Sequence, residues 1–189
     1  MSRFGWVLAT YVAVLGVAVA AVVTAPKRLL WNASASAPVG LYVLRSARPL
    51  RVGELVVVQA PEPLARFMAA RRYLPLGVPL LKQVIALPGA KVCRFGDVIL
   101  VNGQTVGFAL VKDRLGRPLP VWQGCRAIPH DQVFLMNRTV RDSFDGRYFG
   151  LLSAELVVAR AVPIWTDETG RGRFQWRPWP RRTAPFNSN

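Results

Sequence analysis

The feature that most constrains this chain is a segment of twenty residues without a charge, from Trp6 to Ala25. As an α-helix with about 1.5 Å per residue, this segment reaches roughly 30 Å, the thickness of the hydrocarbon core of a bilayer. We predict a transmembrane anchor helix over residues 6–25, preceded by a short flank at residues 1–5. The alternative is a secretory signal that is removed at the small residues 33–35. The anchor is favoured because those residues lie far beyond the apolar run.

The chain is strongly basic, with 25 Lys and Arg against 10 Asp and Glu and a net charge of +15. Such an excess indicates an anionic partner. The charge is spread along the chain, which disfavours a specific nucleic-acid surface and fits membrane lipid headgroups. Hydrophobic residues make up 52% and charged residues 19%, a composition that excludes a disordered chain.

The chain has two cysteines and one histidine. They are too few for a tetrahedral Cys/His zinc site, so no metal is predicted. Cys93 and Cys125 form either a disulfide or two buried thiols. The disulfide is favoured because a membrane anchor gives access to compartments outside the cytosol, where disulfides persist.

Beyond Pro26, short apolar runs broken by Gly, Pro and Asn predict many short strands. The predicted strands are residues 41–44, 54–59, 80–87, 98–101, 133–137 and 156–164. Asn102-Gly103 predicts a type I′ hairpin turn, since these residues accept the positive φ angles it needs. Helical spacing of apolar residues predicts a single further helix at residues 63–73. We therefore expect a mainly β domain over residues 26–165.

The last segment, residues 166–189, is rich in Arg, Pro and Trp. We predict a basic and flexible tail. Its indole and guanidinium groups suit the headgroup layer of an anionic membrane, and a simply solvated tail is the alternative.

Three segments after the anchor carry candidate chemistry. Residues 32–42 form a small-residue loop with Ser34 and Ser36, which alone would pass for a linker. Lys82 is the single charge in the apolar run 79–89; burial there would lower its pKa, whereas an edge position would make it a guard against aggregation. Residues 137–150 are polar and follow an apolar strand. They form either a supporting shell or a turn closed by Asp145 and Arg147.

The pattern of these segments is specific when they are taken together. It comprises Ser36-x-Pro38-x-Gly40-Leu41-Tyr42, Leu81-Lys82-x-Val84, Gly116-Arg117-Pro118-Leu119-Pro120 with Gly124-Cys125-Arg126, and the run from Ser143 to Gly150. From Asn32 to about Trp165 the chain resembles the TraF-type conjugative transfer signal peptidases, a branch of the Ser-Lys signal peptidases. Ordinary signal peptidases carry Ser-Met before the proline, so Ser36-Ala37-Pro38 favours the conjugation branch.

The resemblance implies a signal-peptidase-like, multi-stranded β catalytic domain behind one transmembrane helix. It implies a serine endopeptidase in which Ser36 is the nucleophile of an acyl-enzyme and Lys82 is the general base. By the same resemblance, the Ser34 hydroxyl assists the Ser36 N–H in holding the oxyanion, and Ser143 orients Lys82. Asp145 and Arg147 would hold the supporting loop in place.

The implied substrates are exported precursors with small residues before the cut, in this branch a prepilin. Signal-peptide hydrolysis and pilin cyclisation both stay open. No cofactor is needed, and conjugation or type IV secretion components are the expected partners. The implied location is the bacterial inner membrane, with the catalytic domain on its periplasmic face. The basic residues around the helix weakly favour the opposite orientation. We expect the periplasmic orientation, because a signal peptidase must meet its scissile bond on the outer face of the membrane.

Two other functions are weighed against this one. A Ser-His-Asp hydrolase would use His130 with Asp131 or Asp142, but the chain lacks a Gly-x-Ser-x-Gly elbow. A non-enzymatic, membrane-anchored subunit of a conjugation or secretion complex would use the positive charge for binding. Replacement of Lys82 by Arg separates a dyad enzyme from a scaffold, since Arg keeps the charge but supplies no free amine.

Overall fold

The computed structural model describes residues 3–22 and 28–178. Its first element is helix α1, Arg3–Val22, which begins three residues before the predicted anchor. Residues 23–25 of that anchor lie outside the described residues. Within the described ranges, no helix combines the length and the apolar content that crossing a bilayer takes. The transmembrane anchor therefore stays a prediction.

After α1 the described chain is mostly strand, and the prediction of a mainly β domain is confirmed. The strands are β1 Leu29–Asn32, β2 Val39–Arg45, β3 Leu55–Val58, β4 Leu80–Ala86, β5 Lys91–Phe95, β6 Val98–Val101, β7 Gln104–Phe108, β8 Gly124–Ala127, β9 Gln132–Leu135, β10 Leu151–Ser153, β11 Val157–Asp167 and β12 Gln175–Trp176. Helix α2, Glu62–Ala70, follows β3, and the single-turn helix α3, Gly146–Phe149, follows β9.

The strands form a larger and a smaller antiparallel sheet. The larger has the order β1-β2-β11-β3-β4-β9-β10, with β12 paired to β11, and the smaller has the order β7-β6-β5-β8. Strand β4 lies inside the larger sheet, and all its residues except Gln83 are buried. Because successive strand residues alternate between faces, Leu80, Lys82 and Val84 share one face. Leu80 and Val84 pack with Met68 of α2 in the main core.

The smaller sheet is joined to the larger one by a second apolar core. Ile85 and Phe134 of the larger sheet pack there with Val92 and Ile99 of the smaller one. Within the smaller sheet, strands β5 and β8 are also linked covalently. Cys93 lies directly opposite Cys125, and the two form a disulfide. The predicted pairing is therefore confirmed.

The predicted hairpin is confirmed as strands β6 and β7. Its turn residues Asn102 and Gly103 have φ angles of 49° and 82°. Both are positive, as a type I′ turn requires.

Gly40 of β2 lies where two backbones approach closely. It pairs with Thr166 of β11 and has a φ of +146°. A Cβ atom there would lie 2.2 Å from the carbonyl oxygen of Trp165. Only glycine fits this position, and β2 continues directly from the loop that carries Ser36.

Some boundaries differ from those predicted. Helix α2 stops at Ala70 instead of reaching residue 73, because Arg71 caps it and Arg72 turns into the left-handed region with a φ of 57°. The predicted domain boundary at residue 165 falls inside β11, and Trp176 of β12 pairs with Trp165. The sheet thus continues into the segment that was expected to be tail. Residues 179–189 of that tail lie outside the described residues.

Candidate active site

A buried asparagine holds the loop that carries Ser36. Asn32 ends β1 and is 7% exposed. Its side-chain nitrogen donates to the carbonyl oxygens of Ser34, Ala37 and Pro38 at 3.0, 3.1 and 3.0 Å. Its side-chain oxygen accepts from the backbone N–H of Ser34 at 3.0 Å. These bonds satisfy loop groups that would otherwise be unpaired away from water, and they hold the backbone around Ser36.

The hydroxyl groups of Ser34 and Ser36 are hydrogen-bonded, with their oxygens 3.1 Å apart. Ser34 Oγ also lies 2.9 Å from Oδ1 of Asn32, an oxygen that can only accept. Since a hydroxyl has one proton, Ser34 donates to Asn32 and accepts from Ser36. In this structure the Ser36 proton therefore points toward Ser34.

Lys82 is a buried amine in the interior of the larger sheet. Its side chain is among the largest that are almost fully buried, with 2% of the residue exposed. Nζ donates to Oγ of Ser143 at 2.7 Å. Burial is the largest influence and lowers the pKa of Lys82; Asp145 opposes this and Arg147 adds to it, which leaves the pKa at about 8. The alternative of a lysine guarding a sheet edge is wrong, because β4 has strands on both sides.

Ser36 and Lys82 line the same pocket, which has a volume of about 410 Å³. Among the described contacts, Ser36 bonds through its hydroxyl to Ser34 and Lys82 bonds to Ser143, and no hydrogen bond joins Ser36 to Lys82 directly. The pocket thus contains a hydroxyl and an amine, each held by a different neighbouring serine.

Asn137 connects the backbones that carry these two groups. It lies two residues beyond the end of β9 and is 5% exposed. Its side-chain nitrogen donates to the carbonyl oxygen of Ser36 and, at 3.0 Å, to that of Leu81. Its side-chain oxygen accepts from the N–H of Gln83 at 3.0 Å. One amide therefore fixes the Ser36 loop against both neighbours of Lys82.

Asp145 and Arg147 form a buried ion pair below the pocket. The carboxylate is 0% and the guanidinium side chain 2% exposed, and their nearest N–O distance is 2.8 Å. Asp145 also accepts from the N–H of Asn137 at 3.1 Å. Arg147 donates to the carbonyl oxygens of Val140 and Ser143 at 2.8 and 3.1 Å. Since burial makes each of these groups dependent on its partners, the pair holds the loop that presents Ser143 to Lys82.

The structure brings the predicted site residues together. Ser34, Ser36 and Lys82 line the pocket, Ser143 accepts a hydrogen bond from the Lys82 amine, and Arg147 of the buried ion pair donates to the carbonyl oxygen of Ser143. His130 is exposed and does not line the pocket, so the arrangement does not support a histidine mechanism. The apolar lining is contributed by Met68, Leu80, Leu110, Leu119, Phe144 and Tyr148.

Sequence reasoning assigned no role to Asn32 or Asn137. Each is the first residue of a segment that was singled out. Asn32 ends β1, and Asn137 lies two residues beyond β9. Asparagine at such a position commonly bonds to nearby backbone. That pattern was available in the sequence, but the bonds of Asn137 to residues 101 and 56 positions away were not.

Comparison with known proteins identifies the family of the chain. The family model described as "Signal peptidase, peptidase S26" matches residues 2–166. The chain is 34% identical to a probable conjugal transfer protein TraF of Sinorhizobium fredii, over 71% of this chain and 76% of that protein. It is 34% identical to a conjugal transfer protein TraF of Agrobacterium fabrum, over 71% and 81% of the two chains. A crystal structure of a signal peptidase I from Enterococcus faecalis aligns with a TM-score of 0.36 and 19% identity, covering 61% of this chain and 98% of that one.

Proposed function

We propose that this chain, which belongs to the peptidase S26 family of signal peptidases and to its TraF-type members, is a serine endopeptidase that removes signal peptides from exported precursors. Relatives named as conjugal transfer proteins support a role in conjugation, with a prepilin as the precursor. The observation that carries the proposal is the buried amine of Lys82. Its pKa is about 8, and it shares a pocket with the Ser36 hydroxyl.

The buried amine is costly, which favours an enzyme over a scaffold subunit. Moving its pKa from 10.5 to about 8 destabilises the fold by about 3 kcal/mol. The cost is complete below pH 8, where folded and unfolded chains both hold the proton. It fades as the pH rises from 8 to 10.5, because the unfolded chain alone binds the proton in that range. A scaffold gains nothing from this lysine, whereas a general base requires it.

In the proposed reaction, the neutral amine of Lys82 takes the proton of Ser36 as Oγ bonds to the scissile carbonyl carbon. The tetrahedral intermediate then expels the amine of the mature protein, which receives the proton from Lys82. A water molecule, activated by the same amine, hydrolyses the acyl-enzyme and regenerates Ser36. Because Ser36 donates to Ser34 in the resting structure, its hydroxyl must turn toward Lys82 before attack. Ser143 holds Nζ in the pocket throughout.

We assign the developing oxyanion to the N–H of Ser36 and the hydroxyl of Ser34. The Ser34 proton is engaged by Asn32 in the resting structure, so it must turn from that oxygen to the oxyanion. The rest of the loop stays in place, since the Asn32 nitrogen still binds three of its carbonyl oxygens. The site therefore changes two hydroxyl orientations without moving the backbone.

The substrates we propose carry small residues before the cut, because a shallow apolar pocket selects small side chains by excluding larger ones. Hydrolysis and head-to-tail cyclisation use the same acyl-enzyme and differ only in whether water or an amine attacks it. No cofactor takes part in either sequence of steps.

The pH dependence of cleavage tests the function. With the full chain in detergent micelles and a quenched-fluorescent peptide containing Ala-x-Ala before the cut, kcat/KM should rise about tenfold per pH unit up to pH 8 and then level off, because only the neutral amine is a base. The midpoint should follow the pKa of about 8 of Lys82. A flat profile, or a midpoint near the usual histidine pKa of about 6.5, would contradict a lysine base.

We place the enzyme in the bacterial inner membrane, anchored by residues 6–25, with its catalytic domain on the periplasmic face. The disulfide between Cys93 and Cys125 supports this location, because such bonds persist outside the cytosol. A closed loop with a sequence separation of 32 residues stabilises a fold by about 3–4 kcal/mol in the chain-entropy model.

Thiol reactivity tests this placement. Membranes are denatured in the presence of a polyethylene-glycol maleimide, which adds mass to every free thiol. The band of the chain should shift on a gel only after reduction, since the outer face of the membrane keeps the disulfide oxidised. The variant Cys93→Ala, which frees Cys125, should shift without reductant and serves as the positive control. Labelling of the wild-type chain without reductant would argue for a cytosolic domain.

A further inference from the structure

The charged part of the lining of the active-site pocket is predominantly basic. Its charged lining consists of Arg71, Arg72, Arg114, Arg117, Asp113 and Asp142, in addition to Lys82. Four guanidinium groups thus face two carboxylates. With Lys82 neutral, this part of the pocket has two positive charges in excess, whereas the scissile peptide itself carries none.

Asp113 neutralises part of this charge, and its carboxylate is already bound by neighbouring side chains. It accepts from Nε of Arg117 at 2.7 Å and from the hydroxyl of Tyr73 at 2.6 Å, and Arg71 lies 3.8 Å away. Burial raises the pKa of Asp113, but the hydrogen bonds from Tyr73, Arg117 and the N–H of Leu115 together lower it below the usual range. One carboxylate therefore serves two arginines, and it is already ionised at any physiological pH.

The remaining carboxylate, Asp142, pairs with Arg114. The two arginines near Asp113 also lie over aromatic rings. Arg71 lies over Phe67 at 4.5 Å, and Arg117 lies over Tyr73 at 5.4 Å. Within residues 28–178, the guanidinium of Arg72 has no such partner. It is exposed and lines the pocket.

The backbone of Arg72 is strained, with a φ of 57°. It follows the Arg71 cap of helix α2, where glycine usually occupies the left-handed conformation. For a residue with a Cβ this conformation is unfavourable, and attraction of the guanidinium to the helix C-terminus offsets only part of that cost. An unpaired guanidinium is thus held at the pocket in a conformation that glycine would adopt without strain, and such outliers cluster at binding sites.

We propose that Arg72 binds a carboxylate of the substrate, so that the enzyme prefers precursors with a negative charge close to the scissile bond. This inference rests on the proposed peptidase function and specifies the class of its substrate. The carboxylate belongs to an Asp or Glu side chain of the precursor. Arg72 recognises it through a charge-assisted and often bidentate hydrogen bond. The apolar lining near Met68 and Leu119 is left for the uncharged residues of the substrate.

A set of matched peptides tests the proposal. Quenched-fluorescent peptides with Ala-x-Ala before the cut receive Glu or Gln at one flanking position at a time, and all carry an amidated carboxyl terminus. With the full chain in detergent micelles, at least one Glu peptide should be cleaved with a kcat/KM about tenfold above its Gln partner.

Variants assign the preference to one residue. Arg72→Gly, which relieves the backbone strain, should bring the charged-to-neutral ratio below about twofold, and Arg72→Lys should retain part of it. Arg66→Gln is the matched control. Arg66 lies on helix α2, which ends just before Arg72 in the chain. Its side chain is 73% exposed and pairs with Glu62, so its loss should leave the ratio unchanged.

A binding measurement separates this proposal from the peptidase function. Peptides of the same sequences that carry a fluorophore and no quencher should show the same preference for negative charge when their binding to Ser36→Ala, which cannot form the acyl-enzyme, is measured by fluorescence anisotropy. If the wild type cleaves charged and neutral peptides equally, the carboxylate proposal is overturned and the peptidase function stands. If charged peptides bind preferentially but none is cleaved, the peptidase function fails and the carboxylate site stands. Equal binding without cleavage would overturn both.

Discussion

Replacing Ser36 with alanine, or Lys82 with arginine, is expected to lower kcat/KM for precursor cleavage by at least about 10³-fold. Alanine has no nucleophilic oxygen. Arginine keeps the positive charge but does not release its proton in proteins, so the Ser36 hydroxyl would have no acceptor. The measurement is cleavage of the quenched-fluorescent precursor peptide by the full chain in detergent micelles.

Matched variants separate chemistry from folding. Lys91→Arg changes an exposed lysine of β5 and should cleave within about twofold of wild type, as a surface substitution does. His130→Ala should do the same. Lys82→Met, which fills the buried site without a charge, should fold with a native near-ultraviolet circular dichroism spectrum and remain inactive. Full cleavage by Lys82→Arg, or its loss in His130→Ala, would contradict the Ser-Lys mechanism.

Replacing Arg147 with methionine should lower the free energy of unfolding by about 3–5 kcal/mol. Removal of the guanidinium leaves the Asp145 carboxylate, which is 0% exposed, without its counter-ion. It also leaves the carbonyl oxygens of Val140 and Ser143 without their donor. The measurement is denaturant unfolding of the full chain in micelles, followed by the near-ultraviolet circular dichroism of its aromatic core.

The control for this loss is Arg66→Met, which breaks the ion pair with Glu62. That pair has side chains 73% and 72% exposed and should change stability by less than about 1 kcal/mol. If the two substitutions had equal effects, the buried pair would have no special part in holding the supporting loop. Asp145→Asn should lower the free energy of unfolding by about as much as Arg147→Met, since it removes the other charge of the same buried pair.

The local features of the sequence predicted much of this molecule. The turn at Asn102-Gly103 depends on two adjacent residues, and the structure has it. The class of the domain followed from short apolar runs in the same way. The disulfide was predicted from the expected compartment, and its register partner in β8 shows why it closes. Each of these predictions used information within a few residues or a general rule of composition.

Features that depend on distant partners were missed. Strands β5 and β8 have no clear alternation of apolar and polar residues, because they are ordered by each other and by the core beneath β5. Strand β12 was taken for tail because its residues, Gln175 and Trp176, gain their order from β11. The bridging role of Asn137 likewise arises only after folding, when Ser36 and Leu81 become neighbours.

The close approach at Gly40 shows that the motif around Ser36 contains a residue with a purely structural role. Gly40 is required by the backbone of β11, 2.2 Å from where a Cβ would be, and takes no part in proton transfer. Under the proposed mechanism, a homologue that keeps this glycine but has lost the serine four positions earlier would retain the scaffold without the nucleophile. Inactive relatives of this architecture are therefore to be recognised by the loss of the serine or the lysine, because the glycine alone identifies only the shape.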